Sequence, residues 1–369
     1  MILRRREVLF GAAAAVAGCR TLRGFSGYAF VANEEGRAIA VVDLQALALV
    51  RHVALSAAPV ALLSHPTREA VLALTPENGV VHEIGVPRMQ RVREVYAGPS
   101  AHRMRLSPDG GSLWVLSGPA RRLYRISLGD NPRVEGSLQL APEATDFELS
   151  PYRNLCGVAY AGTGSVQMFD LKTGTAGRII RVADEVGSVR FRSDGEALLV
   201  ANLSGRMLTV LEAPSGRVIA NLPLAVRPDN FCFHPNGGQL FITGDGMDAV
   251  VVVYPHYVPQ VAETALAGRA PAAMAASDTH LFVTSPTTGD VIVMDVETRR
   301  VIAIATAGAE PCAVVLTPGA EYALVLNRKS GDMAVILTSA IARNRRKSIA
   351  LLNMIPVGSK PVAAVVRSV

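Results

Sequence analysis

Aromatic residues are scarce in this sequence. Phe, Trp and Tyr make up 5% of its 369 residues, and Trp114 is the single tryptophan. Hydrophobic residues reach 50% and charged residues 18%, which is typical of a folded globular chain and excludes an intrinsically disordered one. The formal net charge is +6, of which residues 4–7 contribute +2. The remainder gives little support to a nucleic-acid partner.

Motifs for metal, redox or nucleophilic chemistry are also missing. Cys156, Cys232 and Cys312 show no CxxC or CxxCH spacing, so we expect small buried side chains rather than a redox or metal site. The sequence has no Gly-x-Ser-x-Gly elbow, which argues against a hydrolase with that nucleophile. The His82-Glu83 pair has no second histidine at helical spacing, which excludes a zincin helix.

The N-terminus carries the pattern of an export signal. A charged region with Arg5 and Arg6 precedes eleven apolar residues, which is too few for a bilayer span of about 20. Arg5-Arg6 resembles a twin-arginine signal. Val16 to Cys19 reads Val-Ala-Gly-Cys and resembles a bacterial lipobox, in which Cys19 becomes the lipidated first residue.

These features predict a signal peptide over residues 1–19 and a short linker over residues 20–27. The mature protein is then expected in the periplasm or at the cell surface, anchored to a membrane as a lipoprotein through Cys19. The alternative is conventional cleavage, after which Cys19 is an ordinary residue. The twin-arginine and general export routes both stay open.

The rest of the chain repeats one unit, and its clearest copy runs from Val186 to Leu224. Four short apolar runs alternate there with polar turns that contain Gly, Asn and Ser. These turn residues supply the backbone angles that tight hairpins require. Four antiparallel strands followed by another copy indicate the blade of a β-propeller.

Eight first strands can be aligned along the chain. They start at Pro59, Ser100, Ala144, Val186, Pro228, Pro271, Pro311 and Pro361. Residues 28–55 supply a second, third and fourth strand without a first, and residues 361–367 supply a lone first strand. Pairing these two pieces closes the ring and hides two sheet edges. We therefore predict an all-β fold, an eight-bladed propeller over residues 28–369, with seven blades as the alternative if the terminal pieces pack differently.

The strand ends carry a family resemblance. Second strands end in Asn or a small polar residue, as in Tyr28 to Asn33 and Leu198 to Asn202. Third strands of a Val-x-Val-x-Asp type follow them, as in Val291 to Asp295. On these motifs the chain resembles the YVTN family of β-propeller repeats, which contains YncE-like exported proteins, over nearly everything after residue 27. The resemblance implies the propeller fold and, since that family is known mostly for binding and surface proteins, a binding role.

Loops that leave the fourth strand or join the second to the third gather on one face of a propeller. We call the charged and polar residues expected there the binding rim: His102, Asp146, Arg227, Asp229, Asn230, Asp245, Glu310, Arg328 and Lys360. Turns on the opposite face, such as Ser107 to Gly110, are explained by backbone geometry. His65 and His234 occupy the serine position of those turns, so we expect turn residues rather than catalytic groups.

The predicted function is a non-catalytic binding scaffold in the bacterial cell envelope, with an envelope protein or a cell-wall component held on the binding rim. We expect no cofactor, no metal and a monomeric propeller. The alternative is a lactonase-like hydrolase in which Asp146, Asp229 and Glu310 hold a divalent cation. Eight blades also suit a quinone-dependent dehydrogenase, but the tryptophan docking motifs of that class are missing.

Overall fold

Eight four-stranded antiparallel sheets form the ring. The computed structural model describes residues 25–341 and 351–368, in which we number 32 strands along the chain. The predicted export signal, with Arg5, Arg6 and Cys19, lies outside the described residues. Among those described, no helix combines the length and apolar character that a bilayer crossing requires.

The first half of the ring comprises blades 1 to 4. Blade 1 contains β1 (Gly27–Asn33), β2 (Ala38–Asp43) and β3 (Ala48–Ala54). Blade 2 contains β4 (Ala61–Ser64), β5 (Ala70–Thr75), β6 (Val80–Gly85) and β7 (Gln90–Tyr96). Blade 3 contains β8 (Ala101–Leu106), β9 (Ser112–Ser117), β10 (Arg122–Ser127) and β11 (Arg133–Gln139). Blade 4 contains β12 (Ala144–Leu149), β13 (Leu155–Tyr160), β14 (Ser165–Asp170) and β15 (Ala176–Arg181).

The second half comprises blades 5 to 8 and the closing strand. Blade 5 contains β16 (Val186–Phe191), β17 (Ala197–Asn202), β18 (Met207–Glu212) and β19 (Val218–Pro223). Blade 6 contains β20 (Asn230–Phe233), β21 (Leu240–Thr243), β22 (Ala249–Tyr254) and β23 (Gln260–Leu266). Blade 7 contains β24 (Met274–Ala276), β25 (His280–Ser285), β26 (Asp290–Asp295) and β27 (Val301–Thr306). Blade 8 contains β28 (Pro311–Leu316), β29 (Tyr322–Asn327), β30 (Asp332–Leu337) and β31 (Leu351–Pro356), and β32 (Pro361–Ser368) returns to blade 1. The described residues also form three short 3₁₀ helices, Ala161–Thr163, Pro318–Ala320 and Thr338–Ala340.

The ring closes by pairing the two ends of the chain. β32 runs antiparallel to β1 from Tyr28 opposite Arg367 to Asn33 opposite Pro361, with one register shift after Ala32. The resulting sheet has the order β3-β2-β1-β32, so the last strand is the first strand of blade 1. The eight-bladed prediction is confirmed, and the seven-bladed alternative is wrong.

The first strand of every blade lies innermost. It pairs through one edge with the second strand, and its other edge is unpaired within the sheet and faces the central channel. Neighbouring first strands, such as β12 and β16 or β32 and β4, contact each other around that channel.

Apolar side chains fill the spaces between blades. In β1, Phe30 lies in a core cluster with Val71 of blade 2, whereas the next residue, Val31, lies in a cluster with Leu324 of blade 8. Successive residues of a strand point to opposite faces, so both faces of a middle strand are buried. That burial explains why the middle strands are nearly continuous apolar runs.

The turn histidines serve the role that the repeat predicts. His65 Nδ1 accepts hydrogen bonds from the backbone N–H groups of Thr67 and Arg68 at 3.3 and 3.1 Å. His234 Nδ1 lies 2.7 Å from Asn236 Oδ1 and 3.3 Å from the backbone nitrogen of the same residue. Both rings bond within the turns that contain them, so the prediction of turn residues is confirmed.

Buried asparagines at the ends of second strands join neighbouring blades. Asn33 Nδ2 donates to the carbonyl of Val357 at 2.7 Å, and Asn327 Nδ2 donates to the carbonyl of Ala307 at 2.8 Å. Both carbonyls belong to the segment that arrives from the preceding blade. A buried hydrogen bond therefore stabilises each of these two junctions between blades, in addition to apolar contact.

We expect Asn327→Ala to lower the free energy of unfolding by about 1–3 kcal/mol, because it leaves the carbonyl of Ala307 without its buried donor. The measurement is urea denaturation followed by circular dichroism. Asn131→Ala is the control, since Asn131 is exposed in a loop. Equal midpoints for the two variants would contradict the assigned role of Asn327.

A chain that ends at Lys360 lacks β32 and leaves the inner edge of β1 open. We expect it to aggregate or to form oligomers, because an unpaired apolar strand edge recruits another chain. A chain that ends at Arg367 retains nearly all of the pairing and is the control. Size-exclusion chromatography with light scattering measures the outcome, and a well-folded monomer ending at Lys360 would show that closure is dispensable.

Candidate functional site

Ion pairs bring the two predicted sets of loops together on one face. Lys360, which precedes β32, lies with Nζ 3.1 Å from Glu34 Oε2 in the β1–β2 loop. Arg328, which follows β29, lies with Nη1 3.2 Å from Glu310 Oε1 just before β28. The loops after second strands and those before first strands therefore share one face, as predicted.

The seam between blades 8 and 1 holds an open cavity on this face. Its volume is about 740 Å³, and its lining includes Glu310, Arg328 and Lys360 of the predicted rim. Lys329 and Glu35 also line it. Lys329 is exposed and makes no ion pair with the described residues. We call this space the seam cavity, and both signs of charge meet in it.

A second cavity lies on the same face between blades 6 and 7. It measures about 540 Å³, and Asp229, Asn230 and Asp245 of the predicted rim line it together with Asp248. Arg227 stands beside it, 3.2 Å from both Asp229 Oδ1 and Glu185 Oε1. The rim thus offers an acidic cavity in one place and a mixed-charge cavity in another.

His102 occupies the start of β8, at the inner end of the rim. Its Nδ1 lies 3.3 Å from the carbonyl of Ser100, and its Nε2 lies 3.3 Å from the carbonyl of Thr145 in blade 4. Through these two carbonyl contacts the half-buried ring links blades 3 and 4.

Asp146, which lies within β12, differs from the other rim residues because it is buried. Its side chain is only 6% exposed. Oδ2 accepts hydrogen bonds from the backbone N–H of Val189 at 3.2 Å and from Arg190 Nη1 at 2.9 Å. The carboxylate thereby satisfies an N–H on the free edge of β16, which its own sheet cannot satisfy.

Asp146 belongs to a charged group on three consecutive first strands. We call it the channel-wall cluster; its members are Arg103, Arg105, Asp146, Glu148 and Arg190. Arg105 Nε donates to Glu148 Oε2 at 3.1 Å, and Arg190 Nε lies 3.5 Å from the same oxygen. Burial opposes the charge of Arg105, but Glu148 and Asp146 outweigh it and raise the pKa of Arg105.

Four members of this cluster are not among the site residues that the sequence predicts. Arg103, Arg105, Glu148 and Arg190 stand on strands that the repeat alignment treats as apolar. These charged residues stand out in the sequence when the first strands are compared with one another, because β20, β24 and β28 contain no charged residue.

The three carboxylates of the hydrolase alternative are not assembled into a cation site. Asp146, Asp229 and Glu310 lie in or beside blades 4, 6 and 8, and each is paired with an arginine. In residues 25–341 and 351–368, no three His, Cys, Asp or Glu side chains are grouped so as to hold a metal ion.

Ser193, Asp194 and His256 make a contact on the opposite face that looks like a catalytic triad. Ser193 Oγ lies 3.0 Å from His256 Nε2, and Asp194 Oδ2 lies 3.5 Å from Nδ1. However, Arg192 Nε donates to Asp194 at 2.9 Å, and the carbonyl oxygen of Gly237 lies 3.2 Å from the same Nε2. Nε2 is thus shared between the serine hydroxyl and a backbone carbonyl, and the aspartate is already paired with Arg192. We interpret the contact as a link between blades 5 and 6.

The thiols are not activated nucleophiles. Cys156, Cys232 and Cys312 are free. Burial raises the pKa of Cys156 well above its ordinary value and raises that of Cys232 to about 12. A nucleophilic cysteine needs a lowered pKa. Cys156 is buried, as the sequence predicts, whereas Cys232 and Cys312 are half-buried.

Known structures share this fold over most of its length. The dihydro-heme d1 dehydrogenase NirN, solved in complex with DHE, has a TM-score of 0.72 at 16% identity, covering 92% of this chain and 74% of that one. Apo AztD from Citrobacter koseri has a TM-score of 0.70 at 12% identity, covering 93% and 98%. Hydrazine synthase from Kuenenia stuttgartiensis has a TM-score of 0.59 at 18% identity, covering 85% and 92%.

At these identities the likeness shows the β-propeller fold alone. The chain matches no protein-family model and no curated protein. The resemblance to the YVTN repeats therefore rests on the sequence motifs.

Asp146→Asn tests how much the channel-wall cluster contributes to the stability of the fold. We expect it to lower the free energy of unfolding by about 1.5–3 kcal/mol, because a buried carboxylate loses charge-assisted bonds. Glu310→Gln removes an exposed ion pair on the rim and should cost no more than about 1 kcal/mol. Urea denaturation of both variants makes the comparison, and equal losses would show that the cluster is no more structural than the rim.

Proposed function

We propose that the protein is an exported, lipid-anchored, non-catalytic binding propeller of the bacterial cell envelope. Its partner is an envelope protein or a cell-wall component that docks on the rim face. The observation that carries the proposal is the seam cavity, an open space lined by Glu310, Arg328 and Lys360.

The seam cavity suits recognition because its charges are fixed and of both signs. Pairing with Glu310 and Glu34 orients Arg328 and Lys360, while Lys329 keeps an exposed ammonium group. Such a pattern selects a partner by electrostatic complementarity and disfavours partners with a single sign of charge. The closed ring beneath it holds the loops in place, which limits the entropy lost on binding.

Export and anchoring rest on the N-terminal motifs. The twin-arginine-like Arg5-Arg6 pair and the lipobox-like segment that ends at Cys19 predict transport and lipidation. Each buried CH₂ of an acyl chain contributes about 0.8 kcal/mol, so several chains on Cys19 would hold the protein at a membrane surface. The resemblance to the YVTN family supports the same assignment, since that family is known mostly for binding and surface proteins.

Capture from crosslinked membranes tests the proposal. The bait is the full chain, and the rim variant is Arg328→Glu combined with Lys360→Glu. The control is Arg88→Glu combined with Lys172→Glu, which changes the charge equally at exposed turns between third and fourth strands, on the other face. We expect the same partner with wild type and control, and a loss of at least about tenfold with the rim variant, because reversed charges repel the partner.

Binding of the purified partner to the three proteins then separates direct from indirect capture. A partner retained equally by the rim variant would place binding elsewhere and overturn the assignment of the rim. Membrane fractionation of Cys19→Ala tests the anchor separately: release from the membrane supports lipidation, and unchanged attachment refutes it.

A further inference from the structure

The first strands that line the channel divide into a charged group and an apolar group. β8, β12 and β16 are consecutive in the ring and carry the channel-wall cluster. β20, β24, β28 and β4 contain no charged residue, and β32 contains only Arg367 near its end. A structural repeat does not require this asymmetry, because the buried middle strands supply the contacts between blades.

The cluster carries more positive than negative charge. Its three arginines face two carboxylates, which leaves one positive charge in excess. Asp146 holds the centre: its Oδ1 lies 3.6 Å from Arg103 Nε and 3.6 Å from Arg105 Nη2. Both separations exceed hydrogen-bond length, and Oδ1 accepts no hydrogen bond from the described residues although it is buried.

The guanidinium groups of Arg103, Arg105 and Arg190 have N–H donors that make no hydrogen bond to the described residues. Together they make five hydrogen bonds to described residues, fewer than their N–H groups allow. Arg103 is the most open, with 52% of its side chain exposed and one long contact of 3.4 Å to the carbonyl of His102. Arginine forks of this kind bind carboxylates through paired N–H donors.

Apolar first strands follow the cluster in the order of the ring. β20 follows β16 in the ring, and its half-buried Phe231 and Phe233 pack against the core between blades 5 and 6 while part of each side chain stays exposed. Half-buried Met274 follows on β24. Partly exposed aromatic and aliphatic surface near guanidinium groups with unused donors matches a ligand with an apolar body and an anionic end.

We propose that the channel binds a small amphipathic carboxylate, whose anionic end contacts Arg103 and Arg190 and whose apolar body lies against the wall of Phe231 and Phe233. This site goes beyond the rim proposal and does not depend on it, because no residue of the seam cavity takes part. The carboxylates of Asp146 and Glu148 act as positioning groups that hold the arginines toward the channel.

A matched pair of fluorescent probes tests the site. Pyrenebutyrate carries the carboxylate, and pyrenebutanol has the same apolar body without charge. We expect the full-length protein to bind pyrenebutyrate at least about tenfold more tightly than pyrenebutanol, and Arg103→Gln to remove about that factor for pyrenebutyrate alone. Fluorescence titration gives the dissociation constants, and Arg88→Gln on the opposite face is the control.

Further variants keep the test decisive if Arg103→Gln perturbs the structure. Near-ultraviolet circular dichroism checks the fold, and Arg103→Lys should recover part of the affinity because it restores the charge. Phe231→Ser should weaken the binding of both probes equally. Equal affinity for acid and alcohol, or unchanged binding of pyrenebutyrate to folded Arg103→Gln and Arg190→Gln, would overturn the proposal.

Discussion

Antiparallel pairing of β32 with β1 is the interaction on which the rest of this structure depends. Each blade buries its two faces against two neighbours, and blades 8 and 1 have a second neighbour only because the ring closes. Closure also removes the strand edges that an open stack of sheets would expose. The seam cavity forms where the loop between β31 and β32 lies beside Arg328 and Glu310.

The closed ring also explains which strands of a blade can carry charged side chains. The middle strands bear the apolar packing, so a charge there would be buried between two sheets without water. First strands have a free edge at the channel, and long side chains can reach solvent or each other across neighbouring blades. Arg103, Asp146 and Arg190 use this freedom. They link three blades and leave the core unchanged.

A repeated architecture also brings reactive-looking groups together for structural reasons. Ser193 and His256 meet because turns of blades 5 and 6 adjoin, and Arg192 already neutralises the neighbouring carboxylate. On the rim, Asp229 and Glu310 lie apart, and each carboxylate is paired with its own arginine. In each case the partners of a group decide its chemistry, and its residue type alone does not.

The sequence by itself determined the number of blades, the closure of the ring and the roles of His65 and His234. Those features depend on apolar periodicity and turn residues, which are local and can be read along the chain. Tertiary structure decided that Asp146 is buried in a strand and that Arg103 and Arg190 surround it. These residues lie about one repeat apart, and only the register and direction of neighbouring first strands determine which side chains meet across the channel.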